Sequence, residues 1–222
     1  QWMTAGSGLQ HSEMFPLVNQ DKPNRLDLFQ IWINLPAKDK MTDPGYEMIW
    51  AHEVPHIHLD GGDVRIISGS WNEHVAPSAP SASWANNPDN EVALYILTVK
   101  AGGSVELPTA SAEANRMMYH IDGGTATVES HKLKPKYGME LHADVQTVIE
   151  AGKEDVRVLV LQGKPIAEPV SKHGPFVMNT VEEIYQAFSD YRRTEFGGWP
   201  WGPSDIVHPR EQSRFAKMSD GR

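Results

Sequence analysis

Cysteine is absent from this 222-residue sequence, which excludes disulfide bonds, thiolate metal ligands and thiol nucleophiles. The sequence also lacks an apolar run of about eighteen residues, the length that a membrane-spanning helix requires. Its first residues show neither the basic start nor the apolar stretch of a secretory signal. We therefore predict a protein of a reducing compartment, the cytoplasm, with no membrane contact.

Positive charge is scarce as well. The chain has 20 basic and 29 acidic residues, which gives a formal net charge of -9. This balance disfavours broad contact with a phosphate backbone, so we predict no direct nucleic-acid partner. The basic stretch HKLKPK at 131–136 is short and is predicted to be a solvated strand edge protected by lysines.

Short β-rich segments separated by Gly, Pro and Asp turns dominate what the sequence does contain. Apolar residues in them alternate with polar ones or form brief runs that end at turn residues. The pattern predicts strands near residues 29–33, 64–67, 92–99, 117–121, 145–149 and 156–161. This spacing favours an all-β sandwich or barrel over alternating βαβ units.

Two changes of composition divide the chain. Residues 76–90, APSAPSASWANNPDN, are rich in Pro, Ser, Ala and Asn and are predicted to connect two domains. After Pro165 the strand pattern stops, and a capping box that begins at Thr180 predicts a helix ended by Gly197. Residues 213–222 are predicted to form a loosely held tail.

His11 and Glu13 stand two positions apart after a Gly-rich turn, in the segment QWMTAGSGLQHSEMF. In an extended chain residues i and i+2 project from the same face, so this imidazole and carboxylate could bind one metal ion. A protein metal centre normally needs three or four ligands, and no further histidine lies nearby in the sequence. Taken alone, the pair is either half of a metal site or a histidine beside a solvated glutamate.

Four longer segments resemble the signature segments of one known family, the pirins, which are bicupin proteins. They occur in the family's order and spacing, and the match covers nearly all of residues 1 to 210. The segments are QWMTAGSGLQHSEM (1–14), LFQIWINLP (28–36), GKPIAEPV (163–170) and HGPFVMNTVEEI (173–184). Because four long collinear matches are far more specific than one short motif, the chain is identified as a member of this family.

The resemblance implies an all-β fold of two cupin (jelly-roll-like) β-barrel domains, with a short C-terminal helix. Residues 1–75 are similar to the C-terminal part of the N-terminal, metal-binding cupin, and we expect its earlier strands to be missing from this sequence. Residues 76–90 correspond to the linker and 91–165 to the C-terminal cupin. Residues 166–222 correspond to the helix and a tail that packs on the barrels.

In pirins a mononuclear iron is held by a His-x-His pair on an earlier strand and by the His and Glu of the HSE segment. The latter two fall on His11 and Glu13, and the other two histidine ligands are absent from this sequence. Imidazoles with one hard carboxylate suit Fe(II), which the family implies, and also Mn, Ni, Zn or Cu. We expect this chain to bind iron weakly and to turn over flavonols poorly compared with a version extended upstream.

Two classes of function follow from the resemblance. The first is flavonol (quercetin) 2,3-dioxygenase activity on a small aromatic substrate. In it His11 is a ligand, and Glu13 is both a ligand and the catalytic acceptor of the substrate hydroxyl proton. The second is a non-enzymatic, iron- and redox-sensing binding protein that contacts a transcription factor or a metabolic enzyme. The physiological substrate and the oligomeric state stay open.

Four other histidines receive different interpretations. His56 and His58, with His52 close by, lie on a predicted strand at a position that pirins do not use for metal. We interpret them as exposed histidines of a strand edge, with a partner or an adventitious Ni(II) or Zn(II) ion as the alternative. His120 falls in the second barrel, where pirins lack a metal, and is predicted to be hydrogen-bonded inside it.

Overall fold

The computed structural model describes residues 1–15, 17–209 and 211–218, so the last four residues of the predicted tail, 219–222, lie outside the described residues. The chain divides into two compact units. The first is formed by Gln1–Met3 and Ile49–Ala167, and the second by Thr4–Met48 and Glu168–Arg222. Each unit therefore combines stretches that are distant in the sequence.

Strands make up most of the regular structure. In chain order they are β1 (Trp2–Thr4), β2 (Gly45–Glu47), β3 (His56–Leu59), β4 (Gly62–Ser68), β5 (Ser70–Trp71), β6 (His74–Val75), β7 (Ala93–Val99), β8 (Ser104–Leu107), β9 (Asn115–Gly123), β10 (Ala126–Val128), β11 (His131–Leu133), β12 (Gly138–His142), β13 (Thr147–Ala151), β14 (Val156–Gly163), β15 (Ser171–His173) and β16 (Phe176–Met178). The helices of the described residues are α1 (Val181–Thr194) and four short 3-10 helices, Ala37–Asp39, Trp84–Asn86, Pro88–Asn90 and Glu195–Gly197. The predicted all-β fold with a short C-terminal helix is confirmed. In the part of the chain that the structure describes, no helix has the length and apolar character that a bilayer crossing requires.

The first unit is built from two antiparallel sheets. Six strands hydrogen-bond in the order β12-β9-β14-β7-β4-β3, and four in the order β11-β10-β13-β8. Burial alternates along strands such as β4 and β9, because successive side chains point to opposite faces of a sheet. The buried faces share one core cluster, which joins Val64 and Leu97 of the larger sheet to Val128 and Ile149 of the smaller one.

Strands are found at five of the six predicted positions, as β4, β7, β9, β13 and β14. The sixth prediction, a strand at residues 29–33, is wrong, because this stretch has neither strand nor helix structure. Phe29 is 40% and Trp32 54% exposed. A strand exists only where a neighbouring strand pairs with its backbone, and an alternating pattern cannot supply that neighbour.

The segment at 76–90 lies between strands of the same sheet, since β4 before it pairs with β7 after it. It folds into two 3-10 turns rather than a loose tether. The Trp84 indole Nε1 donates to the Lys164 carbonyl at 3.1 Å, and the Asn90 side-chain amide donates to the Trp84 carbonyl at 2.7 Å. The segment is thus anchored within the first unit, and the assignment of residue ranges to two cupin domains stays a prediction.

Helix α1 is the main regular element of the second unit. It begins with the predicted capping box: the Thr180 hydroxyl accepts from the Glu183 N–H at 3.2 Å, and the Glu183 carboxylate accepts from the Thr180 N–H at 2.9 Å. Ile184, which is part of the helix, is buried. The helix ends at Thr194, before the predicted end at Gly197, because Glu195 already adopts a left-handed conformation with φ of 47°.

Lys40 ties together the loops of the second unit. Its side chain is buried, and its ammonium group donates to the Asn34 side-chain oxygen and, at 2.6 Å, to the Leu35 carbonyl. Burial lowers the pKa of this amine, and the negative charges of Glu168 and Glu183 oppose that effect. The Lys40 ammonium group therefore holds the loop that follows residue 33, and it also attracts the carboxylates of Glu168 and Glu183.

Candidate metal centre

A tight turn leads the chain into the segment that carries His11 and Glu13. The Ser7 N–H donates to the Thr42 carbonyl at 2.8 Å, and the Gly8 N–H donates to the Ala5 carbonyl at 2.9 Å. From Gly8 to Glu13 the chain has no regular secondary structure. Side-chain contacts, rather than a helix or a sheet, therefore decide where the two candidate ligands lie.

His11 and Glu13 lie side by side, with 3.6 Å between the imidazole Nε2 and the carboxylate Oε1. Their side chains are 36% and 37% exposed. The i, i+2 spacing predicted this proximity, although the segment is not part of a strand. Both groups are therefore accessible to an incoming ion or ligand.

The donor pair fits part of a metal site. Two bonds of about 2.0–2.2 Å, the usual lengths from a metal to imidazole nitrogen and carboxylate oxygen, can span a separation of 3.6 Å. Among the described residues, however, no group of three or more His, Cys, Asp or Glu side chains could hold a metal ion. The assignment of His11 and Glu13 as metal ligands therefore stays a prediction.

Tyr46 of β2 is a neighbour of Glu13 that the sequence did not reveal. Burial raises the pKa of the Tyr46 hydroxyl, and the negative charge of Glu13 raises it further. No local pattern links a tyrosine to a glutamate on a distant segment, so only the fold could bring the two together.

His56 and His58 lie on an exposed strand edge, as interpreted from the sequence. Both belong to β3, which is one of the two edge strands of the six-stranded sheet, and both are exposed. The His56 Nε2 lies 2.9 Å from the Asp63 carboxylate on β4, and the two imidazole rings are 4.9 Å apart. His52 lies in the exposed turn just before them.

His120 is buried in the first unit, with 1% of its surface exposed. Its Nδ1 lies 3.0 Å from the Leu133 carbonyl oxygen and its Nε2 lies 3.1 Å from the Asp122 carbonyl oxygen. Both ring nitrogens thus face backbone acceptors. The prediction of a hydrogen-bonded interior histidine is confirmed.

Comparisons with known proteins agree on one family. The family model described as the pirin C-terminal cupin domain matches residues 94–197. A pirin-like protein of Caulobacter vibrioides is 38% identical over 197 residues, which cover 88% of this chain and 67% of that protein. A Pseudomonas aeruginosa protein provisionally named a quercetin 2,3-dioxygenase is 36% identical over 200 residues, or 86% of this chain and 65% of its own length. The chain therefore spans about two thirds of the length of these relatives.

Solved structures agree on the fold. A quercetin 2,3-dioxygenase from Acinetobacter baumannii superposes with a TM-score of 0.64 at 29% sequence identity. The match covers 75% of this chain and 55% of that one. The cupin fold expected from the sequence is thereby confirmed.

Proposed function

This chain belongs to the pirin family of cupin proteins, and on that premise we propose that it contributes to a mononuclear iron centre with flavonol (quercetin) 2,3-dioxygenase activity. The observation that carries the proposal is the pair of His11 and Glu13, 3.6 Å apart and open to solvent. Further support comes from the Pseudomonas aeruginosa and Acinetobacter baumannii proteins, whose names refer to quercetin 2,3-dioxygenase.

In this proposal His11 binds the ion through Nε2 and Glu13 binds it through a carboxylate oxygen. Fe(II) is the proposed ion, and Mn, Ni, Zn and Cu are alternatives that the same donors accept. When bound, the ion would supply a Lewis-acidic, redox-active centre for a flavonol and dioxygen. The proposed compartment is the cytoplasm, whose reducing poise favours the ferrous ion.

Glu13 has a second task, which is to accept the proton of the flavonol 3-hydroxyl group. A general base must lie within hydrogen-bond reach of the proton that it removes, and the exposed carboxylate of Glu13 is open to a substrate. In the overall reaction one dioxygen cleaves the heterocyclic ring of the flavonol, and the products are one ring-opened ester and one carbon monoxide.

The test measures iron binding and turnover in the same samples. Wild type, His11→Ala and Glu13→Gln are titrated anaerobically with Fe(II) and then assayed for dioxygen consumption with quercetin. We expect His11→Ala to lower Fe(II) affinity by more than about a hundredfold, because losing a ligand should exceed the ten- to hundredfold effect of losing an outer-shell contact. Glu13→Gln should bind iron weakly and consume no dioxygen, because an amide cannot accept the proton.

His58→Ala is the matched control, since it removes one exposed imidazole outside the candidate centre. It should leave both measurements unchanged. Equal iron binding by wild type and His11→Ala would contradict the proposed ligand pair. Iron binding that depends on both residues, without dioxygen consumption on any flavonol, would instead indicate a regulatory binding protein.

A further inference from the structure

Alternate residues of the segment from Gly8 to Glu13 are fastened to the chain that follows helix α1. The Gln10 side-chain amide donates to the Glu195 carbonyl at 2.6 Å, and the Ser12 hydroxyl donates to the Ser204 carbonyl at 3.0 Å. These two residues are half-buried, whereas His11 and Glu13 between and after them are exposed. One side of the segment is thus anchored, and the candidate ligands are left open.

The Phe196 ring occupies the space where a side chain at Gly8 would lie. A Cβ atom placed on Gly8 would lie 2.3 Å from Cγ of the Phe196 ring, closer than real Cβ atoms approach. Gly8 also has φ of +129°, a conformation that side chains rarely adopt. Only glycine therefore lets this ring lie directly against the backbone three residues before His11.

Glu195 and Phe196, which contact this segment, have an uncommon backbone conformation. Glu195 and Phe196 have φ of 47° and 51°, in the left-handed region that non-glycine residues enter at an energetic cost. Surrounding contacts maintain it: the Phe196 N–H donates to the Thr194 hydroxyl at 3.1 Å, and the Phe196 ring packs 5.2 Å from that of Tyr191. Strain that neighbouring contacts sustain is typical of positions with a functional constraint.

We propose that Glu195, Phe196 and Ser204, here called the bracing residues, set the geometry of His11 and Glu13 at the metal centre. They are positioning residues, because they touch the segment that carries the ligands rather than the ion or the substrate. The inference rests on the proposed function, since positioning matters to metal binding only if His11 and Glu13 are ligands. Residues near the C-terminal end of the chain would thus position the candidate ligands near its N-terminal end.

The experiment changes the contact between Gly8 and Phe196 and measures two properties of the metal complex. Fe(II) affinity is determined anaerobically, and the EPR spectrum of bound Cu(II) reports the arrangement of its nitrogen and oxygen ligands. Both measurements use a His58→Ala background, so that Cu(II) reports on the candidate centre rather than on the exposed imidazole pair of β3. We expect Gly8→Ala to lower Fe(II) affinity about tenfold, the usual size of an outer-shell effect, and to change the EPR spectrum.

Gly197→Ala is the matched control. Gly197 also has a left-handed φ, of +94°, but a Cβ there would meet no atom within 4 Å. It therefore imposes the backbone strain without the clash and should leave affinity and spectrum unchanged. Phe196→Ala should lower the Fe(II) affinity by itself. In the Phe196→Ala background, Gly8→Ala should lower the Fe(II) affinity less than it does in the presence of the ring, because the obstructing ring is gone.

Ser12→Ala and Ser12→Thr provide a second test that does not depend on a clash. Ser12→Ala removes the hydroxyl that donates to the Ser204 carbonyl and should alter the EPR spectrum. Ser12→Thr keeps a hydroxyl and should give the spectrum of the wild type. If His11→Ala abolishes Fe(II) binding but the Gly8 and Ser12 variants bind and give spectra like the wild type, the bracing role is wrong and the proposed function survives. If His11→Ala itself binds Fe(II) normally, the proposed function has failed. A purely structural role would lower the thermal midpoint and leave the EPR spectrum as it was.

Discussion

Two polar side chains, Tyr95 and Arg116, lie inside the apolar interior of the first unit. Tyr95 is 4% exposed, and its hydroxyl donates to the Ser70 carbonyl. Arg116 is 2% exposed and donates from Nε to the Gln162 side-chain oxygen at 2.9 Å and from Nη2 to the Pro108 carbonyl at 2.6 Å. Its Nη1 has no hydrogen-bond partner among the described residues. Because burial disfavours charge, the stability of this interior depends on protonation.

Tyr95 makes that dependence measurable at alkaline pH. Burial raises the pKa of its hydroxyl to about 12, against the smaller, opposite effect of the Arg116 charge. In the unfolded chain a tyrosine titrates near pH 10, so the raised pKa contributes stability below pH 10 that is lost as the pH rises through 12. We expect wild type to exceed Tyr95→Phe by about 1 kcal/mol in free energy of unfolding at pH 8, through the hydrogen bond. By pH 12 the difference should shrink by about 2 kcal/mol and change sign.

Urea unfolding at several pH values between 8 and 12 provides this measurement. Tyr137→Phe is the control, because Tyr137 is 63% exposed. This variant shows how much of the change arises from replacing a solvent-exposed tyrosine by phenylalanine. A constant difference between wild type and Tyr95→Phe over the same range would show that Tyr95 titrates alike in the folded and unfolded chains.

At the scale of residues, spacing predicted one part of the candidate centre and missed another. His11 and Glu13 are two positions apart, so the chain itself limits how far their side chains can separate. Tyr46 and Phe196 approach the same segment from distant parts of the sequence. Neither carries a local signal, because a single aromatic residue is as common in a core as beside a site.

At the scale of elements, the hairpin of β3 and β4 shows how closely two turns can pack. The turn at Asp60 and Gly61 lies against the turn that precedes β8. The Lys100 N–H donates to the Gly61 carbonyl at 2.8 Å, and a Cβ on Gly61 would lie 1.9 Å from the Ser104 carbonyl oxygen. The obstructing atom belongs to the backbone, so it cannot move aside as the end of a flexible side chain can.

Gly61→Ala is therefore expected to lower the free energy of unfolding by about 2–3 kcal/mol, the cost of forcing a methyl group into a packed site. Gly152→Ala is its matched control. A Cβ there would meet only the Thr125 carbonyl, at an ordinary 3.5 Å, and Gly152 does not have a left-handed φ. The control should stay within about 0.5 kcal/mol of wild type, as most substitutions without a clash do. Similar urea midpoints for the two variants would contradict the close approach.

Elements also differ in how far their own sequence specifies them. Helix α1 was predicted from its capping box, and both this box and the hydrogen bonds of the helix lie within one stretch of chain. The stretch at 29–33 has an equally clear alternating pattern, yet it forms no strand. The backbone of a strand forms its hydrogen bonds with another segment of the chain. Its own sequence therefore indicates only that the segment would fit into a sheet.

At the scale of the whole molecule, buried apolar residues are unevenly divided between the two compact units. The core cluster draws all its members from the first unit, including Met118, Val158 and Val160. Among the described residues of the second unit, the buried ones are Thr4, Pro36, Lys40 and Ile184, and only Pro36 and Ile184 are apolar. Since burial of apolar surface is the main stabilising term, the first unit should be the more resistant to local opening.

Hydrogen exchange followed by mass spectrometry tests this difference. We expect amides of β7 and β14 to exchange slowest, because both strands are paired on two sides within the six-stranded sheet. Amides at 17–35 should exchange fastest, since that stretch has no helix or strand structure. Helix α1 should lie between these limits. Protection at 17–35 equal to that of β14 would contradict the uneven distribution of stability.

The sequence by itself determined the all-β class, five strand positions, helix α1, the family and the nearness of His11 to Glu13. Each of these depends on residues close together in the chain, or on long collinear segments that can be recognised as a set. Only the tertiary structure decided that 29–33 is not a strand, that Tyr46 lies near Glu13 and that Phe196 lies against Gly8. These features depend on which distant backbone or ring comes within contact distance, and a linear pattern does not encode that choice.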